Sequence, residues 1–290
     1  MSFLAVREQA VSVRGVSRFF RECSDVYMEN FWSEPILHLP QDARSLERAI
    51  EMCQYLMEQE EYVEGTTVVV ALGSGVHEVG GSYFVPGLGK CQKLLSVPFD
   101  NLSFVGQGER ETIVDGGFAV ENGRKVHIEG LTIKDSSWHG LRASGAGTEV
   151  VLEKVIVQEC ESYGVLVTGG AKLVATGCQF HRNGGHGVCV NGSTTTVRLT
   201  NCTSHHNKIN GVVSNAGAVV DLMGEGTSVH DNEGHGLYAR SRYARSRGQG
   251  VAEASINVYQ PCVLNDMSHG NKNQNINMVV GIVQQKESKK

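Results

Sequence analysis

Three segments of the chain carry histidines beside charged and amide side chains, the residue types from which catalytic and metal sites are built. They read CQFHRNGGHGVCVNG (178–192), CTSHHNKINGVVSNAG (202–217) and TSVHDNEGHGLYARS (227–241). An imidazole can act as a general acid or base or can ligate zinc, and a nearby charge tunes it. The same residues could instead occupy one structural position that is copied in each segment.

The spacing of glycines favours a copied position. A short apolar run opens with glycine five times, at intervals of 23 to 25 residues: Gly140, Gly164, Gly187, Gly211 and Gly236. Mostly apolar residues recur fourteen, nine and seven positions before each glycine and one position after it. Within a repeat, apolar residues lie two apart in three short bursts, which is the period of a β-strand. Three such strands form one coil of a solenoid, whose inward side chains are buried against the neighbouring coils.

We therefore predict an all-β fold, a single-stranded parallel β-helix with 23–25 residues per coil. The coils resemble the pectate-lyase-like superfamily, in particular its carbohydrate-binding and sugar-hydrolase type repeats. NLSFVGQGERETIVDGG (101–117) resembles an early coil of that family, and TVVVALGSGVHEV (67–79) resembles its first strands. The resemblance covers about 66–282 and, together with the usual crossover of parallel strands, implies a right-handed helix. It leaves function open, since the family includes lyases, hydrolases, epimerases, adhesins and recognition domains.

Within this repeat, the histidines and asparagines fall into columns with one residue per coil. The histidines lie six positions before the glycine and the asparagines four, and SHGNKNQN (268–275) continues both columns. The histidine column is His181, His205, His230 and His269, and the asparagine column is Asn183, Asn207, Asn232 and Asn271. Asparagine amides can hydrogen-bond to copies above and below, so we predict a structural ladder. A straight column of imidazoles does not converge on an ion, so we expect a second structural ladder and no metal, with metal or ligand contact as alternatives.

A column made wholly of ionisable residues lies five positions before the glycine: Asp135, Glu159, Arg182, His206 and Asp231. Opposite charges could pair across coils, or the column could form a binding face. If the chain is an enzyme, the candidate catalytic residues are Arg182, His206, Asp231 and Glu159. We expect no cofactor, and Ca²⁺ is a candidate only for a lyase. The Gly-His-Gly triplets resemble those of polygalacturonases, but the Asn-Thr-Asp, Asp-Asp and Arg-Ile-Lys motifs of that family are absent from the sequence.

An insertion at 239–252 interrupts the repeat and carries four arginines: Arg240, Arg242, Arg245 and Arg247. Insertions in solenoids often carry function, because the stacked coils leave them free on one face. Four cations on a chain of net charge −5 predict contact with phosphate, an acidic polymer or an acidic partner.

The predicted β-helix over 66–282 needs cover at its ends. Residues 1–65 are predicted to form a helical extension and cap. Apolar periodicity over 42–62 predicts an amphipathic helix with Asp42 as its N-cap. The segment 283–290 reads as a disordered tail.

Composition narrows the partners and the location. A net charge of −5 argues against general nucleic-acid binding, and no apolar run is long enough to span a membrane. The eight cysteines form no CxxC pair, which favours an intracellular, cytoplasmic protein. Arginines near the N-terminus leave mitochondrial targeting as an alternative.

From these patterns we expect a non-catalytic binding or scaffold β-helix that presents flat faces to a protein partner or an acidic polysaccharide. The alternative is an enzyme, a lyase, hydrolase or epimerase, that acts on acidic polysaccharides.

Overall fold

Short strands with inward apolar residues make up most of the chain. The computed structural model describes residues 36–57, 67–80, 82–85, 89–241, 253–262, 268–279 and 282–287. Within these ranges the strands form a right-handed parallel β-helix, which confirms the predicted fold. One helix, α1 (Leu46–Met57), lies there, and no helix in those ranges is long and apolar enough to cross a membrane.

The strands of the described residues are, in chain order, β1 (Ile36–Leu39), β2 (Val68–Leu72), β3 (Gly75–Glu78), β4 (Ser82–Val85), β5 (Gly89–Gln92), β6 (Leu94–Val97), β7 (Leu102–Val105), β8 (Thr112–Asp115), β9 (Gly117–Glu121), β10 (Lys125–Lys134), β11 (Leu141–Ser144), β12 (Glu149–Gln158), β13 (Val165–Thr168), β14 (Lys172–Thr176), β15 (Gln179–His181), β16 (Val188–Asn191), β17 (Thr196–Thr200), β18 (Thr203–His205), β19 (Val212–Asn215), β20 (Val219–Met223), β21 (Ser228–His230), β22 (Leu237–Arg240), β23 (Ser255–Tyr259), β24 (Ser268–His269), β25 (Ile276–Val279) and β26 (Ile282–Lys286).

Three parallel sheets run along the β-helix. The first sheet has the order β1-β2-β7-β10-β12-β14-β17-β20-β23-β26. The second has the order β3-β8-β10-β12-β15-β18-β21-β24, and the long strands β10 and β12 run from the first sheet into the second. The third has the order β6-β9-β11-β13-β16-β19-β22-β25, and β4 and β5 form a separate antiparallel hairpin.

The core is a set of aliphatic columns along the axis, because the sheets pair in register. Val150 is the partner of Val126 on one side and of Leu173 on the other, and the column continues through Val197 and Val220. All five side chains are at most 3% exposed. Burial of each contributes about 1.5–3 kcal/mol, so the hydrophobic free energy is spread along the solenoid rather than concentrated at one centre.

The glycine that marks each repeat is required by space. A Cβ on Gly211 would lie 2.3 Å from Val229 Cγ1, 2.7 Å from Asn232 Nδ2 and 2.9 Å from the carbonyl oxygen of Gly236. Gly164, Gly187 and Gly236 likewise face the amide of an asparagine and a backbone carbonyl oxygen of the next coil. None of these glycines is among the residues with positive φ, so this column requires glycine for the space it leaves and not for its conformational freedom.

The N-terminal helix begins later than the sequence indicated. It starts at Leu46, and Ser45 caps it, since Ser45 Oγ accepts a hydrogen bond from the backbone N–H of Arg48 at 3.2 Å. The predicted N-cap, Asp42, instead accepts a hydrogen bond from the backbone N–H of His38 at 2.5 Å. The helix packs on β1 and β6, and residues 58–62 of the predicted helix lie outside the described residues.

The β-helix extends beyond the predicted range of 66–282 at both ends. β1 lies inside the predicted helical extension and pairs in parallel with β2, so the first sheet begins at Ile36. At the other end, β26 pairs in parallel with β23 through Lys286, so residues 283–286 are strand and not a disordered tail. Residues 288–290 lie outside the described residues.

We predict that Gly211→Ala destabilises the protein by about 1–3 kcal/mol, because the added methyl group forces Val229 and the neighbouring coil apart. The matched control is Gly226→Ala, whose Cβ would meet nothing closer than 3.4 Å. Urea unfolding of both variants checks the prediction. Equal midpoints for Gly211→Ala and Gly226→Ala would show that coil spacing does not require glycine.

Candidate functional site

The turn between the second and third sheets brings the predicted site residues together. We call its column of residues 181–183, 205–207, 230–232 and 269–271 the turn edge. In the first three of these coils a histidine ends the strand of the second sheet, an ionisable residue follows it, and an asparagine comes third; in the last coil Gly270 stands at the middle position.

The asparagines Asn183, Asn207, Asn232 and Asn271 form a hydrogen-bonded ladder. Nδ2 of Asn183 donates to Oδ1 of Asn207 at 3.0 Å, and the next two steps are 2.9 Å each. Oδ1 also accepts a backbone N–H from one coil earlier, from Asn183 to Asn207 at 3.2 Å and from Cys160 to Asn183 at 3.2 Å. The first three side chains are fully buried, and this network satisfies their amides.

The histidines His181, His205, His230 and His269 lie one above another. Successive ring centroids are 4.8, 4.9 and 5.1 Å apart, and the ring planes are within 7° of parallel. Two rings are tied to the ionisable column. Nδ1 of His205 lies 2.7 Å from Nδ1 of His206, and Nδ1 of His230 lies 2.8 Å from the carboxylate of Asp231.

Burial keeps the inner part of this stack neutral. It lowers the pKa of His181 to about 4, and the charges of Arg182 and His206 lower it further. Burial also lowers the pKa of His205 to about 4, with neighbouring histidines adding to the effect. The hydrogen bond from His230 lowers the pKa of Asp231. At neutral pH His181 and His205 are therefore uncharged, so their stacked rings do not repel one another.

The ionisable column occupies left-handed backbone positions. The φ angles of Asp135, Glu159, Arg182, His206 and Asp231 all lie between 52° and 56°. The left-handed residue of this turn is therefore the one before the asparagine. The left-handed turn points these side chains outward, and all five are exposed.

The cross-coil ion pairs that we considered for this column do not form among the described residues. Asp135 lies 3.1 Å from Lys134 of its own strand end, and Asp231 pairs with His230 of its own coil. Glu159 with Arg182, and His206 with Asp231, are not ion-paired in this part of the chain. The charges of Arg182 and His206 are therefore available at the surface.

The arginine insertion is described only at its start. Arg240 ends β22 and is exposed, with Asn215 and Val279 as its strand partners. Arg242, Arg245 and Arg247 lie outside the described residues.

A second ladder follows the Gly-His-Gly position, which sequence analysis treated only as a repeat feature. Nδ1 of His139 accepts the backbone N–H of Tyr163 at 3.2 Å, and Nδ1 of His186 accepts that of Asn210 at 3.1 Å. Oδ1 of Asn210 then accepts the N–H of His235 at 2.7 Å. Burial lowers the pKa of His139 to about 3 and that of His186 to about 4, so both stay neutral acceptors.

A separate cluster on the first sheet was missed by sequence analysis. The ligating atoms of His127, Glu129 and Glu153 all lie within 4.8 Å of one another. The signal was present in the sequence, because His127 and Glu129 are two apart on one strand face and Glu153 is the repeat equivalent of Glu129.

A cavity of about 610 Å³ lies at the N-terminal end of the β-helix. It is lined by residues at the start of α1 and along β3, including Arg44, Glu47, His77 and Glu78. None of the predicted site residues lines it, so the candidate site is the turn edge and not this cavity.

Comparison with known proteins bears on the family. Residues 109–248 match a family model described as a right handed beta helix region. This match agrees with the right-handed β-helix that the strands form. No curated protein sequence matches the chain.

Solved structures resemble this β-helix at low identity. ORF18 of Geobacillus virus E2 has a TM-score of 0.42 and 15% identity, over 73% of this chain and 45% of that one. Pectin methylesterase PemA from Erwinia chrysanthemi has a TM-score of 0.47 and 10% identity, over 78% of this chain and 77% of that one. Pectate lyase Pel9A has a TM-score of 0.48 and 9% identity, over 77% of this chain and 71% of that one. The β-helix therefore spans less than half of the viral protein, and likenesses at this level carry no argument about activity.

We predict that the neutral second ladder makes stability pH-dependent. The pKa of His139 is about 3 in the folded protein and near 6.5 when unfolded, so the unfolded chain binds more protons and stability falls as the pH drops from 6.5 towards 3. His139→Asn keeps an acceptor for Tyr163, as Asn210 does for His235, but removes the titration. Its stability should therefore fall less steeply over this range, by up to about 1.4 kcal/mol per pH unit.

Urea midpoints at a series of pH values measure this effect. His38→Asn, whose ring is exposed on β1, is the matched control and should keep the wild-type pH dependence. A His139→Asn profile as steep as that of the wild type would contradict the ladder role of His139.

Proposed function

We propose that the turn edge binds an acidic polysaccharide, and that the guanidinium of Arg182 and the imidazole of His206 are its contacts. The observation that carries the proposal is the position of these two residues. They occupy the same exposed place on consecutive coils, on a backbone fixed by the asparagine ladder, and neither is ion-paired to an acidic residue among the described residues. Because the backbone is already fixed at both positions, binding a ligand there does not require the chain to be ordered first.

The regular spacing of the turn edge fits a ligand with repeating units. Successive coils lie 4.8 to 5.1 Å apart, as the stacked histidine rings show. A linear polymer that runs along the β-helix axis would meet one side chain per coil. The guanidinium of Arg182 can bind a carboxylate through two parallel hydrogen bonds, and exposed Lys208 adds positive charge beside His206.

Acidic residues limit how densely charged the ligand can be. Glu159 lies one coil before Arg182, and Asp231 lies one coil after His206, so the cationic stretch is two coils long. A nucleic acid, with a phosphate on every unit, would meet these carboxylates and be repelled. A glycan with separated carboxylates can place one or two of them on the cationic stretch, which favours a uronate-containing polymer.

The backbone strain at the turn edge supports a role for these side chains. A non-glycine residue in the left-handed region costs roughly 1 kcal/mol, which glycine would avoid. The last coil has Gly270 at this position, whereas the coils before it carry Arg182 and His206. Strain that the fold does not require is typical of functional positions.

The second candidate is an enzyme that acts on the same polymer. The carboxylate of Asp231 holds Nδ1 of His230 at 2.8 Å, which leaves Nε2 to exchange a proton. An imidazole oriented by a carboxylate is the arrangement of a general base. Arg182 would bind the uronate carboxylate while the base takes the proton from C5, the carbon that bears this carboxylate. In a lyase, a C4–C5 double bond then forms as the glycosidic C4–O bond breaks, and water protonates the leaving oxygen. The described residues lend no separate support to the non-catalytic scaffold hypothesis.

We predict that Arg182→Ala combined with His206→Ala weakens binding of partly methyl-esterified pectin or hyaluronan, whose carboxylates are separated by uncharged units, by at least tenfold, because the contacts of the guanidinium and the imidazole are lost. The matched control is Arg198→Ala, which removes an exposed arginine of the first sheet and should leave affinity unchanged. Affinity electrophoresis or calorimetry with both polymers, and with uncharged dextran, measures the effect. Wild-type binding should also weaken with added salt.

Turnover is scored in the same samples through the absorbance of unsaturated products and the release of reducing ends. Turnover that His230→Asn abolishes, with binding retained, supports the enzyme. Binding without turnover supports a binding module. A wild-type protein that binds neither polymer, or an Arg198→Ala variant as weak as the double variant, would contradict the assignment of the turn edge.

A further inference from the structure

We propose that His127, Glu129 and Glu153 bind a transition-metal dication, with Zn²⁺ as the reference ion, on the outer face of the first sheet. The proposal is independent of polysaccharide binding at the turn edge. Its basis is geometric, since one imidazole and two carboxylates project from neighbouring strands and bring their ligating atoms within 4.8 Å of one another.

The sheet register places the three ligands. Glu129 on β10 and Glu153 on β12 are direct partners in adjacent parallel strands, and His127 lies two residues before Glu129 on the same face. Nε2 of His127 is 3.9 Å from a carboxylate oxygen of Glu153. Ligands about 2 Å from a tetrahedral ion are roughly 3.4 Å apart, so small side-chain rotations close the site.

Ser103 provides a hydrogen-bond partner for the coordinating tautomer of His127. Nδ1 of His127 lies 3.0 Å from Oγ of Ser103 on β7, and Ser103 is buried. When Nδ1–H donates to this hydroxyl, Nε2 carries the lone pair and faces the two carboxylates. A hydrogen bond to the distal nitrogen is the usual outer-shell support of a histidine ligand.

The charge pattern of the sheet singles out the same place. Elsewhere on the first sheet, cross-strand neighbours have opposite signs: Lys172 lies 3.2 Å from Glu149, and Arg198 lies 4.0 Å from Asp221. Glu129 and Glu153 are instead like charges directly opposite each other, and no Lys or Arg of the described residues forms an ion pair with either. Such a pair destabilises a sheet, and a bound dication would reverse the sign of that interaction.

The ligand set selects the class of ion. A mixed nitrogen and oxygen site suits Zn²⁺ and its neighbours in the first transition row, whereas Ca²⁺ and Mg²⁺ prefer oxygen ligands alone. Three protein ligands leave a fourth tetrahedral position for water or an anionic ligand group, which is the coordination of an open site.

The test is calorimetric titration of the full chain, without a histidine tag, with ZnCl₂, CaCl₂ and MgCl₂ in turn. We expect one Zn²⁺ per chain and no comparable binding of the other two ions. His127→Ala and the isosteric Glu153→Gln should each weaken Zn²⁺ binding by at least a hundredfold, and Ser103→Ala by about tenfold. Glu149→Gln, on the same strand as Glu153 but paired with Lys172, is the matched control and should bind as the wild type does.

Three outcomes would overturn the site. They are a wild-type chain that does not bind Zn²⁺, Zn²⁺ affinity that survives in both His127→Ala and Glu153→Gln, and Ca²⁺ binding as tight as that of Zn²⁺. Loss in His205→Ala with retention in His127→Ala would place the ion on the histidine stack and would count against the proposal in the same way. Circular dichroism of each variant verifies that the β-helix is intact.

Discussion

The structure depends on the in-register stacking of one coil on the next. Parallel pairing places every side chain directly over the equivalent side chain of the next coil, about 5 Å away. Each position therefore accepts only residues that can stack on this neighbour. Aliphatic side chains stack by packing, asparagines by donating to one neighbour and accepting from the other. Glycine is required where the asparagine ladder and the next backbone leave no room for a Cβ.

Charge is the property that such stacking tolerates least. The two histidine-containing ladders avoid repulsion because burial holds several of their rings neutral. On the first sheet, opposite signs alternate along parts of the columns, as for Lys172 and Glu149. At Arg182 and His206 the turn edge has neither buried neutral rings nor, within the described part of the chain, an ion pair with an opposite charge. On the first sheet, Glu129 and Glu153 break the alternation of opposite charges. Both proposals concern places where the stacking constraint is met least well.

Much of the architecture could be predicted because the interval of the sequence repeat equals the length of a coil and its apolar positions are the inward-facing ones. The columns of histidine, asparagine and ionisable residues were visible as residue spacings. Their conformations were not, since spacing alone does not say which residue of a turn takes a positive φ. The first sheet beyond the repeat was also hidden: β1 and β26 have little periodic context, and β26 is polar because its outer face meets solvent. The capping serine of α1 was missed because Asp42 and Ser45 are both good caps, and spacing does not show that Asp42 accepts instead from the backbone N–H of His38.

The left-handed turn residue has one further consequence. Its backbone angle is nearly the same whether the residue is Asp135, Glu159, Arg182, His206 or Asp231. These side chains contribute nothing to the interior, so exchanging one for another leaves the path of the chain untouched. Single substitutions at these turn positions can therefore change the chemistry of the surface one coil at a time. The fold is unaffected, because it is specified by the buried columns beneath.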